Sequence, residues 1–401
     1  MRTPFLLAAL CFFALSADTA LTRTEELVSL PVTFIGETCE ETRAPLSAIT
    51  WNVALAPGMN PMYSERRAPI AFALQKLEYD VLCAQEAWLD RDKRVLLAAS
   101  DLPYENVFIH DTAGLGEDEE DTCKNTPLDA LLECVSDRCA DRVKEDTALC
   151  AIAECRGPLN KIFLRDRRCI NCLASQVGNG VEEIGNACVH SSASRVYGGR
   201  NGVMLFSRLP LHNREVIMLP SSNANRPVLF ARVHPPGLPQ SVEIACGHIA
   251  SPQPISPFHS GALTWEEEQG MQVRIVHEKL VARADGRPMI FMGDMNFGGV
   301  NGKTVVEYSR SALDDLLALG WRDGAAEFTP FCSVCKGNTV RLASNGPGLL
   351  LDHIFSRGDA LRPLCADRLL DHKVSVKDRD DQMRSTHLSD HYAVRVKFGF
   401  K

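Results

Sequence analysis

Short apolar runs alternate with segments of helical periodicity in two stretches of the chain, residues 46–110 and about 200–400. The runs are rich in β-branched and aromatic residues, which is typical of buried strands. The longest helical segment is predicted near Trp265–Ala284 and a shorter one near Ser311–Leu319. Because both stretches share this alternation, they predict one α/β domain over residues 45–400 that is interrupted once.

The interruption, residues 111–195, holds eight cysteines, which predicts a disulfide-rich helical insertion within the domain. Cys123 and Cys134 are eleven residues apart, as are Cys139 and Cys150. This spacing is about three helical turns, so each pair is predicted to lie on one face of a helix. Two antiparallel helices cross-linked as Cys123–Cys150 and Cys134–Cys139 would satisfy it. Eight cysteines permit many other connectivities, so this pairing is one hypothesis.

The other cysteines allow several interpretations. Cys83 and Cys246 lie in apolar core strands, where free thiols are often buried. The Cys169-x-x-Cys172 and Cys332-x-x-Cys335 motifs each fit half of a zinc site, a redox pair or disulfide-bonded cysteines. The disulfide interpretation is favoured for an exported chain with this many cysteines.

The N-terminus has the pattern of a targeting segment. Arg2 precedes a 13-residue apolar stretch, Phe5–Ala17, that ends in small residues. This predicts a signal peptide over residues 1–20 and a secreted or periplasmic protein without a transmembrane segment. Cleavage would remove Cys11 and leave 14 cysteines, an even number that suits an oxidised chain.

The chain carries a net charge of −8, from 51 acidic and 43 basic residues. Glu117–Asp146 alone holds 11 acidic and 4 basic residues, a local charge of −7. The rest of the chain is therefore close to neutral. Since nucleic-acid-binding proteins gain affinity by neutralising phosphates with Lys and Arg, this distribution does not favour a nucleic-acid substrate.

Polar residues interrupt or end several of the predicted strands. They are Asn52, Glu86, His248, Asp294 with Asn296, Asp352, and Asp390 with His391. Taken singly, most fit an ordinary turn, cap or strand end. Asp352 differs, because it lies inside the apolar run LLLDHIFS, where an unpaired charge would cost several kcal/mol. It requires a cation or a histidine as a partner.

In order and position, these residues resemble the endonuclease/exonuclease/phosphatase superfamily, which includes deoxyribonuclease I-like nucleases and sphingomyelinases. The resemblance covers residues 46–110 and 195–400. It implies an α/β, four-layer sandwich of two mixed β-sheets flanked by helices, with a divalent metal, Mg²⁺ or Mn²⁺, at one sheet end. Phosphodiester hydrolysis independently requires a hard cation with oxygen ligands, an in-line water and stabilisation of the phosphoryl charge.

The resemblance also implies which residues bind the metal and move the proton. Glu86 is the principal metal carboxylate, with Asn52 and Asp390 nearby. His391 is the general base that takes a proton from the attacking water, and Asp352 orients it. Histidine suits this task because its unperturbed pKa lies near neutrality.

The remaining implied roles concern the substrate. His248 lies on the opposite side, where it hydrogen-bonds the phosphate or protonates the leaving oxygen. Asp294 and Asn296 position the nucleophile and the phosphoryl oxygens. Arg200, in the segment RNGVMLFSR that resembles the family's Gly-Val strand, is a candidate phosphate contact.

The substrate is left open between two classes. The segments NVALAPGMNPMYSERRAPIAFAL and DVLCAQEAW resemble the sphingomyelinase branch, whereas GHIASP around His248 is closer to the nuclease pattern. The prediction is a secreted phosphodiesterase of the phospholipase C type that acts on a lipid headgroup and contacts the membrane peripherally through the loop Ser251–His259. A deoxyribonuclease-like endonuclease and a catalytically inactive binding or toxin subunit are the alternatives.

Overall fold

The computed structural model describes most of the chain from Cys39 onwards. The described residues are 39–57, 59–113, 123–140, 147–166, 169–170, 172–173, 176, 181–190, 195–252, 261–300, 305–328, 331–341, 344–378 and 381–400. The predicted signal peptide and most of the loop Ser251–His259 lie outside these residues, as does much of the acidic run Glu117–Asp146. Within them, no helix has the length and apolarity needed to cross a bilayer.

The described strands are β1 Leu46–Leu55, β2 Val81–Ala87, β3 Val107–Ile109, β4 Met204–Ser207, β5 His212–Leu219, β6 Arg226–Val233, β7 Val242–His248, β8 Met289–Asp294, β9 Arg322–Asp323, β10 Asp352–Arg357, β11 Leu361–Leu369, β12 Lys373–Lys377, β13 Met383–His387 and β14 Ala393–Phe400. The described α-helices are α1 Tyr63–Lys76, α2 Asp90–Ser100, α3 Leu128–Arg138, α4 Thr147–Glu154, α5 Arg156–Arg165, α6 Val181–His190, α7 Trp265–Ala284 and α8 Ser311–Ala318.

The strands form two six-stranded mixed sheets and one hairpin. The first sheet has the order β11-β14-β1-β2-β4-β3, and the second has the order β5-β6-β7-β8-β10-β9. Only β1 with β2 and β7 with β8 pair in parallel among the described neighbours. Strands β12 and β13 form the separate hairpin.

Three apolar clusters hold the layers together. One lies between the sheets and includes Ala48 and Val396 of the first sheet with Ile244 and Met292 of the second. Another joins the outer face of the first sheet to α1 and α2, and the third joins the second sheet to α7 and α8. The order helix, sheet, sheet, helix confirms the predicted four-layer α/β sandwich.

The prediction of free thiols at Cys83 and Cys246 is wrong. The two residues form a disulfide between β2 and β7, with Cα atoms 5.4 Å apart. Both side chains point into the layer between the sheets, so they face each other although they are 163 residues apart in sequence. Hydrophobic pattern alone identifies such residues as buried and does not identify what they face.

The pairing proposed for residues 111–195 is also wrong. The structure has Cys123–Cys169, Cys134–Cys155, Cys139–Cys150 and Cys172–Cys188. The physical reason is that this region contains four described helices, α3–α6, instead of two, and Cys123 precedes the first of them. The cysteines pack with apolar side chains into a small core of their own.

The remaining cysteines are also paired. Cys39 bonds Cys365, and Cys332 bonds Cys335. The disulfide interpretation of both C-x-x-C motifs is therefore correct, although Cys169 and Cys172 bond different partners. All 14 cysteines that follow the predicted signal peptide are in disulfides.

Candidate active site

The pairing of three strands places three predicted site residues in a row at one end of the second sheet. His248 at the end of β7 pairs in parallel with Asp294 at the end of β8. Asp294 in turn pairs with Asp352, the first residue of the antiparallel β10. Residues that are far apart in sequence thus become neighbours because their strands share one register.

The first sheet brings Glu86 to the same place through an unusual backbone. Glu86 has a φ of 62°, in the left-handed region that side chains other than Gly rarely adopt. Gly202 approaches this residue so closely that a Cβ on it would lie 2.6 Å from the Glu86 Cα. The Ala87 N–H also donates to the Gly202 carbonyl, at 3.1 Å. A glycine is therefore required at position 202 for Glu86 to take this position.

Asn52 connects the two sheets. Its Nδ2 donates to Asp294 Oδ2 at 2.9 Å, and its amide also hydrogen-bonds the carboxylate of Glu86. Its Oδ1 accepts from the Ala54 N–H at 3.0 Å, which fixes the orientation of the amide. Asn52 therefore bridges two carboxylates from different sheets, and its predicted role as a metal ligand stays a prediction.

Asp294 and Asn296 form a tight loop after β8. The Asn296 N–H donates to Asp294 Oδ1 at 3.0 Å. The Asn296 amide donates to the Ile249 carbonyl at 3.1 Å and lies 3.0 Å from His248 Nε2. The loop thus fixes both residues beside the histidine.

His391 and Asp352 form a buried hydrogen-bonded pair. His391 Nδ1 lies 2.7 Å from Asp352 Oδ2, and its Nε2 lies 3.9 Å from Asp294 Oδ2. Burial alone would lower the pKa of His391, but the carboxylates of Asp352 and Asp294 outweigh it and raise this pKa well above its ordinary value. Asp352 therefore has the histidine partner that its buried position requires.

The carboxylates of the site destabilise one another. Burial and the charge of Asp390 raise the pKa of Glu86 to about 7, while His391 opposes the shift. Burial also raises the pKa of Asp294 to about 6. Asp390, which follows the first sheet's edge, accepts a hydrogen bond from Asn60 at 3.2 Å.

The donor set fits a divalent cation. Single ligand atoms of Glu86, His248 and Asp294 all lie within 4.8 Å of one another, and the same holds for Asp294, Asp352 and His391. Carboxylate oxygens are the ligands that hard divalent cations prefer. Such a cation would relieve the repulsion that raises the pKa of Glu86.

His248 is buried and is kept neutral by its surroundings. Burial lowers its pKa well below the ordinary value, and the charges of Arg226 and His391 act in the same direction. Its Nδ1 has no hydrogen-bond partner among the described residues. The ring therefore has one nitrogen available to a ligand.

Arg226 is a candidate site residue that the sequence interpretation missed. It is the first residue of β6, its side chain is 5% exposed, and its Nε and Nη1 have no partner in the described chain. Its guanidinium carbon lies 5.9 Å from the centre of the Trp88 ring. Burial lowers its pKa, and the charges of Glu86 and Asp294 oppose that shift. An arginine at a strand start is common, so the sequence held no signal that this one is buried.

Arg200, the predicted phosphate contact, lies in a more exposed position. Its Nε is 3.6 Å from Asp90 Oδ2, and its Nη1 donates to the Tyr197 carbonyl at 3.3 Å. Both charged side chains of the ion pair are at least one third exposed. Its role stays a prediction, since its printed contacts are with Asp90 and Tyr197 rather than with the carboxylate cluster.

His353, which had no predicted role, faces away from the cluster. Its Nδ1 lies 2.7 Å from Asp323 Oδ2, and its Nε2 is within 3.0 Å of the carbonyls of Phe297 and Leu350. Burial lowers its pKa, but the charge of Asp323 outweighs burial and raises it. This buried pair supports the loops on which Asn296 and Asp352 lie.

The comparisons with solved structures agree with this architecture. SmcL is similar to the chain with a TM-score of 0.51 and 14% identity, over 88% of this chain and 98% of that one. Sphingomyelinase C from Streptomyces griseocarneus has a TM-score of 0.50 and 16% identity, over 89% and 99%. At these identities the likeness concerns the fold alone.

The sequence comparisons give the family. No curated protein sequence matches the chain. The model of the Endonuclease/Exonuclease/phosphatase family matches residues 49–391, which span all of the predicted site residues. Members of this family are hydrolases of phosphodiesters and generally use a divalent metal. The chain belongs to the endonuclease/exonuclease/phosphatase family.

Proposed function

We propose that the protein is a secreted, divalent-metal-dependent phosphodiesterase of the sphingomyelinase-like, phospholipase C type. The observation that carries the proposal is the convergence of the buried carboxylates Glu86 and Asp294 with the His391–Asp352 pair. This set combines oxygen ligands for a cation with a histidine that is oriented by a carboxylate. Metal-assisted hydrolysis of a phosphodiester needs both parts.

In the proposed mechanism, Glu86 and Asp390 hold Mg²⁺ or Mn²⁺, with Asn52 beside them. The bound cation supplies positive charge for the phosphoryl oxygens. His391 accepts the proton of the attacking water at Nε2, because Nδ1 is hydrogen-bonded to Asp352. Asp352 keeps the ring oriented and stabilises the imidazolium that forms.

The opposite side of the site binds the phosphoryl group. Asp294 and Asn296 orient the water and a phosphoryl oxygen, and His248 hydrogen-bonds the phosphate or the leaving oxygen. Arg226 offers unpaired N–H donors beside these residues. An anion there would satisfy a buried guanidinium that otherwise lacks partners.

A lipid phosphodiester is the favoured substrate. The segment from Asn52 to Leu74 resembles the sphingomyelinase branch, and the charge outside Glu117–Asp146 is close to neutral. A nuclease gains affinity from clustered basic residues, which this distribution does not favour. Removal of the signal peptide would place the enzyme outside the cytoplasm, where its seven disulfides are stable.

The chemistry is tested with bis-p-nitrophenyl phosphate. Hydrolysis should stop with EDTA and return with Mg²⁺ or Mn²⁺. His391→Ala should lower turnover by about 10²–10⁴-fold, because it removes the general base. His234→Ala is the matched control, since His234 is exposed on the surface and should leave turnover unchanged. Full activity in EDTA or in His391→Ala would contradict the mechanism.

The substrate is tested by comparing two natural phosphodiesters. Phosphocholine release from sphingomyelin liposomes is measured beside degradation of plasmid DNA under the same metal and salt conditions. The proposal expects the lipid to be hydrolysed faster. Preferential degradation of DNA would establish the endonuclease alternative, and inactivity on both and on the small substrate would favour a binding subunit.

A further inference from the structure

Arg66 is a buried cation that has no role in the proposed mechanism. It lies in α1 and its side chain has no solvent exposure. Its Nε donates to the Pro61 carbonyl at 3.0 Å, its Nη1 to the Leu388 carbonyl at 2.6 Å and its Nη2 to the Ala54 carbonyl at 2.8 Å. One planar guanidinium therefore joins three separate backbone segments.

The first of these segments orients Asn52. Ala54 has a φ of 50°, an uncommon conformation for a residue other than Gly, and it lies where the pairing of β1 with β2 shifts register. Its N–H donates to Asn52 Oδ1 and its carbonyl accepts from Arg66. Arg66 thus supports the irregular backbone that points the Asn52 amide at Asp294.

The other two segments both lead to Asp390. Leu388 lies two residues before it, and Pro61 follows Asn60, whose amide donates to Asp390 Oδ2 at 3.2 Å. Arg66 therefore holds the backbone of this carboxylate and that of its hydrogen-bond partner. Without the guanidinium, three buried carbonyls would lose their donor, which destabilises the local conformation.

The charge of Arg66 acts in the opposite sense on a bound cation. It forms no ion pair in the part of the chain that the structure describes, and the charges of Asp390 and Glu86 are among those that act on it. A positive charge near a cation site weakens binding, whereas an ordered set of ligands strengthens it. Removal of the guanidinium therefore separates the two effects.

We propose that Arg66 is a positioning residue for the metal site, whose three backbone hydrogen bonds fix the Asn52, Asn60 and Asp390 segments and thereby set the affinity for the divalent cation. The inference rests on the proposed function because it requires a metal at Glu86 and Asp390. Partners that orient metal ligands commonly contribute about 10–100-fold to metal affinity.

The test uses two substitutions and measures binding of Mn²⁺ alone. Arg66→Lys keeps the charge and loses the planar fork, while Arg66→Met loses both. Binding of Mn²⁺ is followed by electron paramagnetic resonance and calorimetry in the full-length protein, and folding by its melting temperature. The proposal expects both variants to bind Mn²⁺ about 10–100-fold more weakly than wild type.

Arg67→Met is the matched control. Arg67 is the next residue in α1 and pairs with Asp92 at 2.7 Å, away from the three carbonyls, so its loss should leave the Mn²⁺ affinity within about twofold of wild type. Unchanged affinity in a folded Arg66→Lys, or tighter binding in Arg66→Met, would overturn the proposal.

Two further outcomes are informative. If Arg66→Met does not fold, Arg66→Lys decides, and failure of both variants to fold would also overturn the proposal, since Arg66 would then determine the fold and not the site. Wild-type protein that bound no Mn²⁺ and hydrolysed no phosphodiester would instead contradict the proposed function.

Discussion

Buried polar atoms without partners are concentrated at the candidate site. Arg226 Nε and Nη1, His248 Nδ1 and Asp352 Oδ1 have no hydrogen-bond partner among the described residues. Each such atom costs free energy in a folded protein, so a group of them around one cavity of charge indicates a place for a ligand. The two donors, Arg226 and His248, match an anion, and the carboxylates match a cation.

Arg226 provides a prediction that separates activity from stability. Arg226→Met should lower kcat/KM for bis-p-nitrophenyl phosphate by about 10²–10³-fold, because it removes a donor aimed at developing phosphoryl charge. It should leave the melting temperature unchanged or raise it, because an unpaired buried cation is replaced by an apolar side chain.

Kinetics and thermal denaturation of the same preparations check this expectation. Arg274→Met is the control, since Arg274 forms an exposed ion pair with Asp315 on α7. Arg200→Met tests the phosphate contact that the sequence predicts. A large loss in Arg200→Met together with wild-type kinetics in Arg226→Met would assign the contact to Arg200.

Most of the candidate site could be predicted from the sequence, because its residues break apolar runs. Asp352 within LLLDHIFS is the clearest example, and the structure supplies the histidine partner that its burial requires. Arg226 and Arg66 could not be found in this way. Both belong to segments where arginine is ordinary, and their burial depends on the packing of distant segments around them.

At the scale of elements, helical periodicity was a good guide and cysteine spacing was not. The structure has α7 at Trp265–Ala284, the bounds that the pattern predicts, because this long helix packs one face on the second sheet. Disulfides join residues that are close in space, and that closeness follows from tertiary packing. Sequence spacing therefore misled for residues 111–195 and for Cys83 with Cys246.

The Cys83–Cys246 disulfide joins the strands that carry Glu86 and His248. It closes a loop of 163 residues, whereas Cys332–Cys335 closes a loop of 3. A longer loop restricts the unfolded chain more, so Cys83→Ala with Cys246→Ala should lower the free energy of unfolding by about 2–5 kcal/mol. The matched Cys332→Ala with Cys335→Ala should cost less than about 2 kcal/mol.

Urea denaturation of both double variants measures these costs, and kcat on the small substrate is measured in parallel. The inter-sheet variant should also lose turnover, because Cys83 lies three residues before Glu86 and Cys246 two before His248. Equal losses of stability in the two double variants would show that loop length does not determine their contributions.

At the scale of the whole molecule, the ends of the cysteine-rich region meet beside the site. Thr112 Oγ1 donates to the Gly199 carbonyl at 2.7 Å, and Arg195 donates to the Ser221 carbonyl. The Val196 N–H donates to the Asn223 carbonyl at 3.1 Å, three residues before Arg226. The four described helices between these ends have their own apolar core and four of the seven disulfides.

This anchoring predicts that the region can be removed without loss of the chemistry. Replacement of residues 114–194 by a short Gly-Ser linker should leave a folded protein that hydrolyses bis-p-nitrophenyl phosphate within a few-fold of wild type. The reason is that both six-stranded sheets and all of the carboxylates and histidines of the candidate site lie outside this range. Loss of folding or of activity would show instead that the region is part of the catalytic domain's core.

The same deletion removes the charge of −7 in Glu117–Asp146 and should therefore strengthen binding of DNA, since an acidic segment beside the site repels a polyanion. The effect should fade as salt rises above about 0.15 M, where charges more than about 8 Å apart are screened. Fluorescence anisotropy of labelled DNA over a salt series measures it. A full-length control with Glu117, Asp118, Glu119, Glu120 and Asp121 changed to their amides keeps the helices and lowers the charge. If charge is the cause, this control should bind DNA more tightly than wild type, and a deletion variant that gained no DNA affinity at low salt would show that the acidic run does not govern access of a nucleic acid.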